Sequence, residues 1–163
     1  MRAALRALAE GSDARKPLIL LEETLRQADE CAAKNAENSL TDAPTREIHY
    51  INMRRQQRRI LLQVTQDAQK VQEHPPQETE VRALIGRIFA EYDRENDCTS
   101  LLSALHDLLV EMQHQPLPAT RGEFEDRALL YVLLRRMEDF LLLKREFYET
   151  YGYEINHQLE RKS

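Results

Sequence analysis

Apolar side chains recur three and four positions apart along most of the chain, which is the spacing of one face of an α-helix. These stripes predict five helices. The first runs from about Lys16 to Leu40, the second follows the break at Pro44 and carries its stripe to Val71, and the third runs from about Glu78 to Arg94. The fourth begins near Thr99 and the fifth at Thr120. A short helical turn precedes them at the N-terminus, and no segment alternates as a strand does. Because the connections are short, we predict an all-α, antiparallel helical bundle of about five helices.

Prolines and glycines separate the helices, and one break carries a helix-start signal. A proline blocks the continuation of a helix and disfavours helical backbone in the residue before it. Thr120 and Glu123 have the spacing of a capping box, which begins the last and longest helix. We expect Phe124, Ala128 and Tyr131 to start the buried seam of that helix. The breaks are at Gly11, Pro44, Pro75-Pro76 and Pro116-Leu117-Pro118.

Composition and charge exclude several classes of protein. The chain has only 4 Gly and 6 Pro, and its two cysteines, Cys31 and Cys98, have no spacing typical of a disulfide framework or a zinc site. Residues 75–163 carry 17 acidic against 11 basic side chains, which argues against a nucleic-acid surface. The longest apolar run, Ala128 to Leu134, is far shorter than the roughly 20 residues of a membrane-spanning helix. We therefore expect a soluble, cytoplasmic chain.

No motif of a catalytic or phosphate-binding site is present, so we predict a protein that is not an enzyme and has no cofactor. Glu111 with His114, and Glu154 with His157, have the Glu-x-x-His spacing of di-iron bundles. Both pairs are predicted to lie near solvated helix ends, so no metal site is expected. A ferritin-like metal-binding bundle is the weakest of the alternatives.

A basic cluster beside a tyrosine is the candidate ligand site. Guanidinium groups pair with carboxylates and stack on rings, so this cluster could bind an aromatic carboxylate. The alternative is pairing with the acidic residues of the segment 76–126, with Arg54 reaching Glu123, Glu125 or Glu138. An aromatic tail offers a second stacking surface, although aromatics at helical spacing more often pack in a core. The cluster is Tyr50, Arg54, Arg55, Arg58 and Arg59, and the tail is Phe147, Tyr148, Tyr151 and Tyr153.

Three segments resemble the C-terminal domain of the putative aromatic acid exporters of Gram-positive bacteria. They are Asn35 to Leu40, His49 to Gln57, and Leu117 to Leu129 with Met137 to Lys144. The last is similar to the family's Leu-Pro-x-Thr-Arg-x-Glu-Phe-Glu-x-Arg-Ala run. We expect these residues to be structural, with Arg127, Glu138 and Arg54 fixing the packing register. The structural set is Asn38, Tyr50, Met53, Arg54, Gln57, Pro118, Thr120, Glu123, Phe124, Arg127, Ala128 and Glu138.

The resemblance implies a function and a partner. It implies a non-catalytic accessory domain, for assembly or regulation, at the cytoplasmic face of an exporter-like membrane protein. Its partner would be a transmembrane domain that this chain lacks, and a homo-oligomer is a second expectation. The alternative is a free-standing helical module that binds a partner helix in an apolar groove. We divide the chain into a bundle domain, 1–147, and a helical extension or tail, 148–163.

Overall fold

The structure, a computed structural model, describes the backbone of residues 1–38, 43–93 and 96–160. Side chains are described for residues 1–34, 46–93 and 96–152. Within this part of the chain every regular element is an α-helix, which confirms the predicted fold class. The helices are α1 (Arg2–Ala9), α2 (Arg15–Asn38), α3 (Ala43–Ala68), α4 (Gln77–Glu91), α5 (Thr99–His114) and α6 (Arg121–Glu160).

The N-terminal turn of the sequence analysis is a sixth helix, α1, with its own buried face. Ala4, Leu5 and Leu8 lie at the spacing of one helical face and are buried in the main core. Gly11 has a φ of +70°, which a glycine adopts without steric cost, and the chain reverses there into α2. The predicted turn is therefore long enough to contribute a helix to the bundle.

Helix α3 lies at the centre of the arrangement. It packs against α2 on one side and α6 on the other, whereas the described parts of α2 and α6 do not contact one another. Helix α1 packs mainly on α4, and α5 packs on α4 and α6. The three long helices therefore lie side by side with α3 in the middle, and the short helices pack against them.

One large apolar core joins all six helices, and a small one lies apart from it. The small cluster consists of Leu25, Ala32 and Ile51, between α2 and α3. In the large core, the fully buried side chains of greatest volume include Leu5, Leu18, Leu61, Ile88, Leu101, Met137 and Phe140. Burying side chains of this size stabilises the fold by about 1.5–3 kcal/mol each.

The buried seam of α6 begins at a different residue from the one predicted. Phe124 is 61% exposed and Ala128 is also exposed, so neither starts the seam, and Tyr131 is half-buried. Asp126 takes the first inward position, and Leu130, Leu133, Met137, Phe140 and Lys144 follow at helical spacing. The reason is that the Asp126 carboxylate turns inward to bind backbone N–H groups of the α3–α4 connection, which sets the rotation of the helix.

Helix α6 continues without a break past residue 147, so the proposed boundary between 147 and 148 falls inside a helix. The division into a domain and an extension stays a prediction. None of the described helices is both long and apolar enough to cross a membrane.

Candidate functional site

A buried amide connects α3, α6 and the end of α4. Gln57, on α3, is fully buried, and its Nε2 donates a hydrogen bond of 2.8 Å to the backbone oxygen of Phe140 on α6. Its Oε1 accepts from the Tyr92 hydroxyl at 2.8 Å and from Arg54 Nη1 at 3.0 Å. Both polar atoms of the amide are therefore satisfied, as a buried amide requires.

Tyr92 reaches this position because α4 ends just before it. At Tyr92 the backbone leaves the helical region, with φ −79° and ψ 83°, and the side chain enters the core with 3% of its surface exposed. Its ring packs on Phe140 with a centroid distance of 5.2 Å, and its hydroxyl also accepts from Arg54 Nη1 at 2.5 Å. Burial raises the pKa of the Tyr92 hydroxyl well above its ordinary value of 10.0.

Two cations lie against the Tyr92 ring. The guanidinium carbon of Arg54 is 5.2 Å from the ring centroid, and Lys144 Nζ is 5.0 Å from it. Such distances allow cation–π attraction. Lys144 is only 4% exposed and donates to the backbone oxygen of Asn96. Burial lowers the pKa of the Lys144 ammonium, and the same cause raises the pKa of the nearby Cys98 thiol.

A row of aromatic rings continues from Arg54 toward the surface. Tyr50 lies under the Arg54 guanidinium at 4.9 Å and contacts Phe147 edge to face at 5.5 Å. Phe147 packs on Tyr151 at 5.0 Å, and the Tyr151 hydroxyl is hydrogen-bonded to His49 Nδ1. Two aromatic residues of the tail, Phe147 and Tyr151, therefore pack on α3. The side chain of Tyr153 lies outside the described residues.

The predicted basic cluster does not form one site. Arg55 pairs with Asp29 at 2.9 Å, and Arg58 pairs with Glu22 at 2.8 Å and donates to the Leu18 backbone oxygen. These partners all lie on α2, so the expectation of partners from the segment 76–126 was wrong. The reason is that this face of α3 packs on α2, whose acidic side chains lie opposite the arginines.

The predicted pairing of Arg54 with a carboxylate was also wrong. Glu123 pairs with Arg127 at 2.5 Å, Glu125 with Arg121 at 2.8 Å, and Glu138 with Arg135 at 2.8 Å. Each pair lies three or four residues apart on α6 itself. Arg127 and Glu138 therefore do not join Arg54 in setting the packing register between helices.

The predicted capping box at the start of α6 is present. The Glu123 N–H donates to Thr120 Oγ1 at 3.0 Å, and Glu123 Oε2 accepts from the Ala119 N–H at 2.8 Å. The Ala119 hydrogen bond is the main cause of a lowered Glu123 pKa. Thr120 Oγ1 also donates to Glu73 at 2.7 Å, which ties this cap to the α3–α4 connection.

Asp126 is the residue of this motif that the sequence analysis missed. Its oxygens accept from the Gln72 N–H at 3.0 and 3.1 Å and from the Glu73 N–H at 2.6 Å. Its place at helical spacing before Leu130 and Leu133 was the available signal. Lys144 could be found in the same way, because it lies four residues after Phe140.

The remaining predicted residues have simple positions. Met53 is buried, Pro118 is half-buried, and Asn38 belongs to α2 with its side chain outside the described part. Glu111 and His114 are exposed at the end of α5, and His114 Nδ1 contacts the Val110 oxygen. Glu154 and His157 have no described side chains. Among described side chains, no three His, Cys, Asp or Glu are grouped to hold a metal ion.

Comparison with known proteins agrees with the fold. A structure described as that of a "putative membrane protein from Clostridium difficile 630" superposes with a TM-score of 0.78 at 23% identity. The superposition covers 91% of this chain and 89% of that one, and at this identity it shows the fold alone.

Sequence comparison gives the family. "Uncharacterized protein YqjA" of Bacillus subtilis strain 168 is 29% identical in an alignment 133 residues long, which covers 76% of this chain and 38% of the relative. The chain thus spans well under half of that protein. The family model described as "Putative aromatic acid exporter C-terminal domain" matches residues 1–145. Because this match covers most of the sequence, the chain belongs to the putative aromatic acid exporter C-terminal domain family.

Proposed function

We propose that this chain is a non-catalytic accessory domain that supports the assembly or regulation of an exporter-like membrane protein. It acts by helix packing at the cytoplasmic face of the membrane, and its partner is a transmembrane domain. The observation that carries the proposal is the match of residues 1–145 to a family described as the C-terminal domain of putative exporters.

The contacts of the polar side chains support a packing role. Arg55 and Arg58 bind α2, Gln57 binds α6, and Asp126 binds the α3–α4 connection. Side chains that join helices in this way support a packing role for these residues. The same contacts join neighbouring helices to one another, as a domain that transmits a change in position would require.

A free-standing interaction module is the second candidate, because some large apolar side chains are exposed. Ile19 and Leu20 are neighbours on α2 and are 64% and 63% exposed, while Leu117 is 92% exposed. Exposed apolar side chains that lie together are a common feature of surfaces that bind another protein. In this function the chain would bind a partner helix without a membrane domain.

A chimera tests the accessory role. The matched segment of the Bacillus subtilis relative would be replaced by residues 1–163, and a second version would lack the segment. We expect the chimera, but not the shortened version, to reach the membrane, to elute as one species in detergent, and to protect cells against added benzoate.

Two substitutions in the chimera serve as matched variants. Leu134→Asp places a charge in the core, where Leu134 is fully buried, and should behave as the shortened version does. Leu142→Asp, on the same helix at a position that is 44% exposed, should behave as the chimera does. Normal assembly and protection by the shortened version would overturn the accessory role and favour the free-standing module.

A further inference from the structure

The outward side of α6 carries a row of exposed residues with the spacing of a coiled-coil seam. Six residues follow one another at alternating steps of four and three positions, which keeps them on one face of the helix. All six are exposed, and none packs in either apolar cluster of the described residues. The row, here named the outer row, consists of Arg121, Glu125, Ala128, Val132, Arg135 and Asp139. Such a row is what a helix presents when it packs along one further helix.

The order of charges along the outer row fits a second copy of the same row that runs in the opposite direction. From its N-terminal end the row reads positive, negative, two apolar residues, positive, negative. About a two-fold axis midway between the apolar residues, Arg121 faces the partner's Asp139 and Glu125 faces the partner's Arg135. The apolar residues face each other between these ion pairs, and the symmetry makes each contact occur twice.

Other arrangements of the two rows are less favourable. In a parallel pair each charged residue faces its own counterpart, so like charges repel. A shift of the antiparallel rows by seven residues in one direction places Arg121 opposite the partner's Val132. A shift in the other direction places Asp139 opposite the partner's Ala128. Either shift removes water from a charge without giving it an opposite charge, so the order of charges selects one antiparallel register.

The residues beside the outer row add apolar contact at its centre. Leu129 and Tyr131 are half-buried and lie on the two flanks of the row, where each comes next to its own counterpart at the two-fold axis. The paired stretch is about 27 Å long at the rise of an α-helix. It ends at Asp139, because the position opposite Leu142 is Pro118, which precedes α6. The contact is thus apolar at its centre and ionic at both ends.

The ion pairs within the chain leave the outer row able to make these contacts. Arg121 pairs with Glu125 at 2.8 Å, and Arg135 pairs with Glu138 at 2.8 Å, both within α6. Exposed pairs of this kind contribute little to stability, so their side chains reorient or share a partner at low cost. Asp139 forms no salt bridge with a described side chain. The row therefore keeps charge available for a second copy.

We propose that two copies of this chain associate through the outer row of α6, in the antiparallel register that pairs Arg121 with the partner's Asp139 and Glu125 with the partner's Arg135. This surface goes beyond the accessory role proposed above, since the contact needs only this chain and no membrane domain. Each ion pair is exposed and weak, so the chain is monomeric in dilute solution and dimeric when concentrated. The oligomeric state of the isolated chain and the behaviour of the chimera are separate measurements, so the failure of one proposal is distinguishable from the failure of the other.

Sedimentation velocity of the whole chain over a range of concentrations tests the contact. We expect a reversible monomer–dimer equilibrium that shifts toward monomer in about 1 M salt, where charges are screened within about 3 Å. Glu125→Arg places two arginines opposite each other, and Arg135→Glu places two glutamates opposite each other. Each variant alone should weaken dimerisation by roughly tenfold or more. A parallel dimer already places like charges together, so neither variant would weaken it.

A mixture of the two variants separates a complementary contact from a general loss of association. In a mixed dimer the introduced arginine of one chain faces the introduced glutamate of the other, while the unchanged Arg135 and Glu125 face each other at the opposite end. The mixture should therefore dimerise about as well as wild type, although neither variant does so alone.

Glu30→Arg is the matched control. It makes the same change of charge and loses a similar pair, with Arg26 at 2.5 Å, on α2, whose described part does not contact α6. It should dimerise as wild type does, and thermal melts would establish that each variant is folded. The proposal is overturned if wild type stays monomeric at every concentration, if either α6 variant alone dimerises as wild type does, if Glu30→Arg weakens the dimer as much as they do, or if the mixture dimerises no better than its components.

Discussion

At the scale of single residues, short polar side chains hold the helices in place. The Gln57 amide contacts groups from α3, α6 and the chain after α4, so a sliding of any of these elements would break one of its hydrogen bonds. Asp126 has the same role near the start of α6, where it binds the connection that follows α3. Each residue therefore fixes a register that apolar contacts alone would leave less well determined.

Loss of the Asp126 carboxylate should weaken the fold. We expect Asp126→Ala to lower the free energy of unfolding by about 2 kcal/mol, because the Gln72 and Glu73 N–H groups lose their acceptor. Urea unfolding would measure the change. Asp139→Ala, at an exposed position of the same helix, is the control and should have little effect. Equal midpoints for the two variants would show that water replaces the carboxylate without cost.

Two substitutions at the start of α6 should differ in how much they lower the stability of the fold. Thr120→Ala should cost about 1 kcal/mol, because the Glu123 N–H loses its capping oxygen. Phe124→Ala should change stability by no more than about 0.5 kcal/mol, since its side chain is 61% exposed. Thermal melts of the two variants would show whether Thr120→Ala loses more stability than Phe124→Ala. A larger loss for Phe124→Ala would mean that Phe124 packs against another surface in solution.

Tyr92 should make the fold sensitive to alkali. Its pKa is raised in the folded chain, so the folded state keeps the proton while the unfolded chain loses it near its ordinary pKa of 10.0. The contribution of Tyr92 to stability is therefore complete below about pH 10 and is lost as pH rises further. In Tyr92→Phe this loss should be smaller, whereas in Tyr131→Phe it should match wild type. Urea midpoints between pH 8 and 11 would show the difference.

The sequence predicted some of these residues and not others, for a physical reason. A capping box is a local signal, because Thr120 and Glu123 interact within one helical turn, and it was found. The partner of Arg54 depends on which helix lies opposite α3, and spacing along the chain does not determine this. For the same reason the pairing of Arg55 and Arg58 with α2 needed the three-dimensional structure.

At the scale of elements, apolar spacing located every long helix but gave the wrong rotation for the first turns of α6. Phe124 was expected in the seam because it is apolar, and Asp126 was not because it is charged. The structure reverses these positions, since a carboxylate with three hydrogen bonds to backbone N–H groups can be buried at lower cost than its charge suggests. Hydrophobicity alone therefore determines which face of a helix is buried only where no polar side chain of that helix makes such buried hydrogen bonds.

Removal of residues 148–163 would test whether they are an extension. The truncated chain keeps both apolar clusters but loses the contacts of Tyr151 with Phe147 and His49. We expect it to fold with a melting temperature lower by about 2–4 °C, which corresponds to roughly 1 kcal/mol. The full chain with Tyr151→Leu is the matched control and should show a similar loss. A truncated chain that does not fold would rule out the boundary at 147.

At the scale of the whole molecule, the predicted all-α bundle is confirmed because composition, helical spacing and proline breaks all indicate the same architecture. The order of packing was not predictable from these signals. That α3 lies between α2 and α6 follows from which apolar faces match, and several pairings of six amphipathic helices would have satisfied the sequence pattern equally.

The purified chain should contain no stoichiometric iron, zinc or manganese. A di-iron bundle needs carboxylates and histidines from several helices facing one interior position. Glu111 and His114 are instead exposed at the end of α5. Elemental analysis of protein prepared without chelators would measure the metal content. One or two tightly held ions per chain would contradict the expectation and revive the ferritin-like alternative.

The central place of α3 has a mechanical consequence. Because the described parts of α2 and α6 do not touch, a displacement of α2 can reach α6 through α3, or through α1 and α4 in turn. Among the described residues, α3 is thus the shorter of the two connections between the outer helices. Two glycines introduced at exposed positions of α3 would make this helix more flexible and weaken the coupling between the two outer helices, while leaving the main core in place.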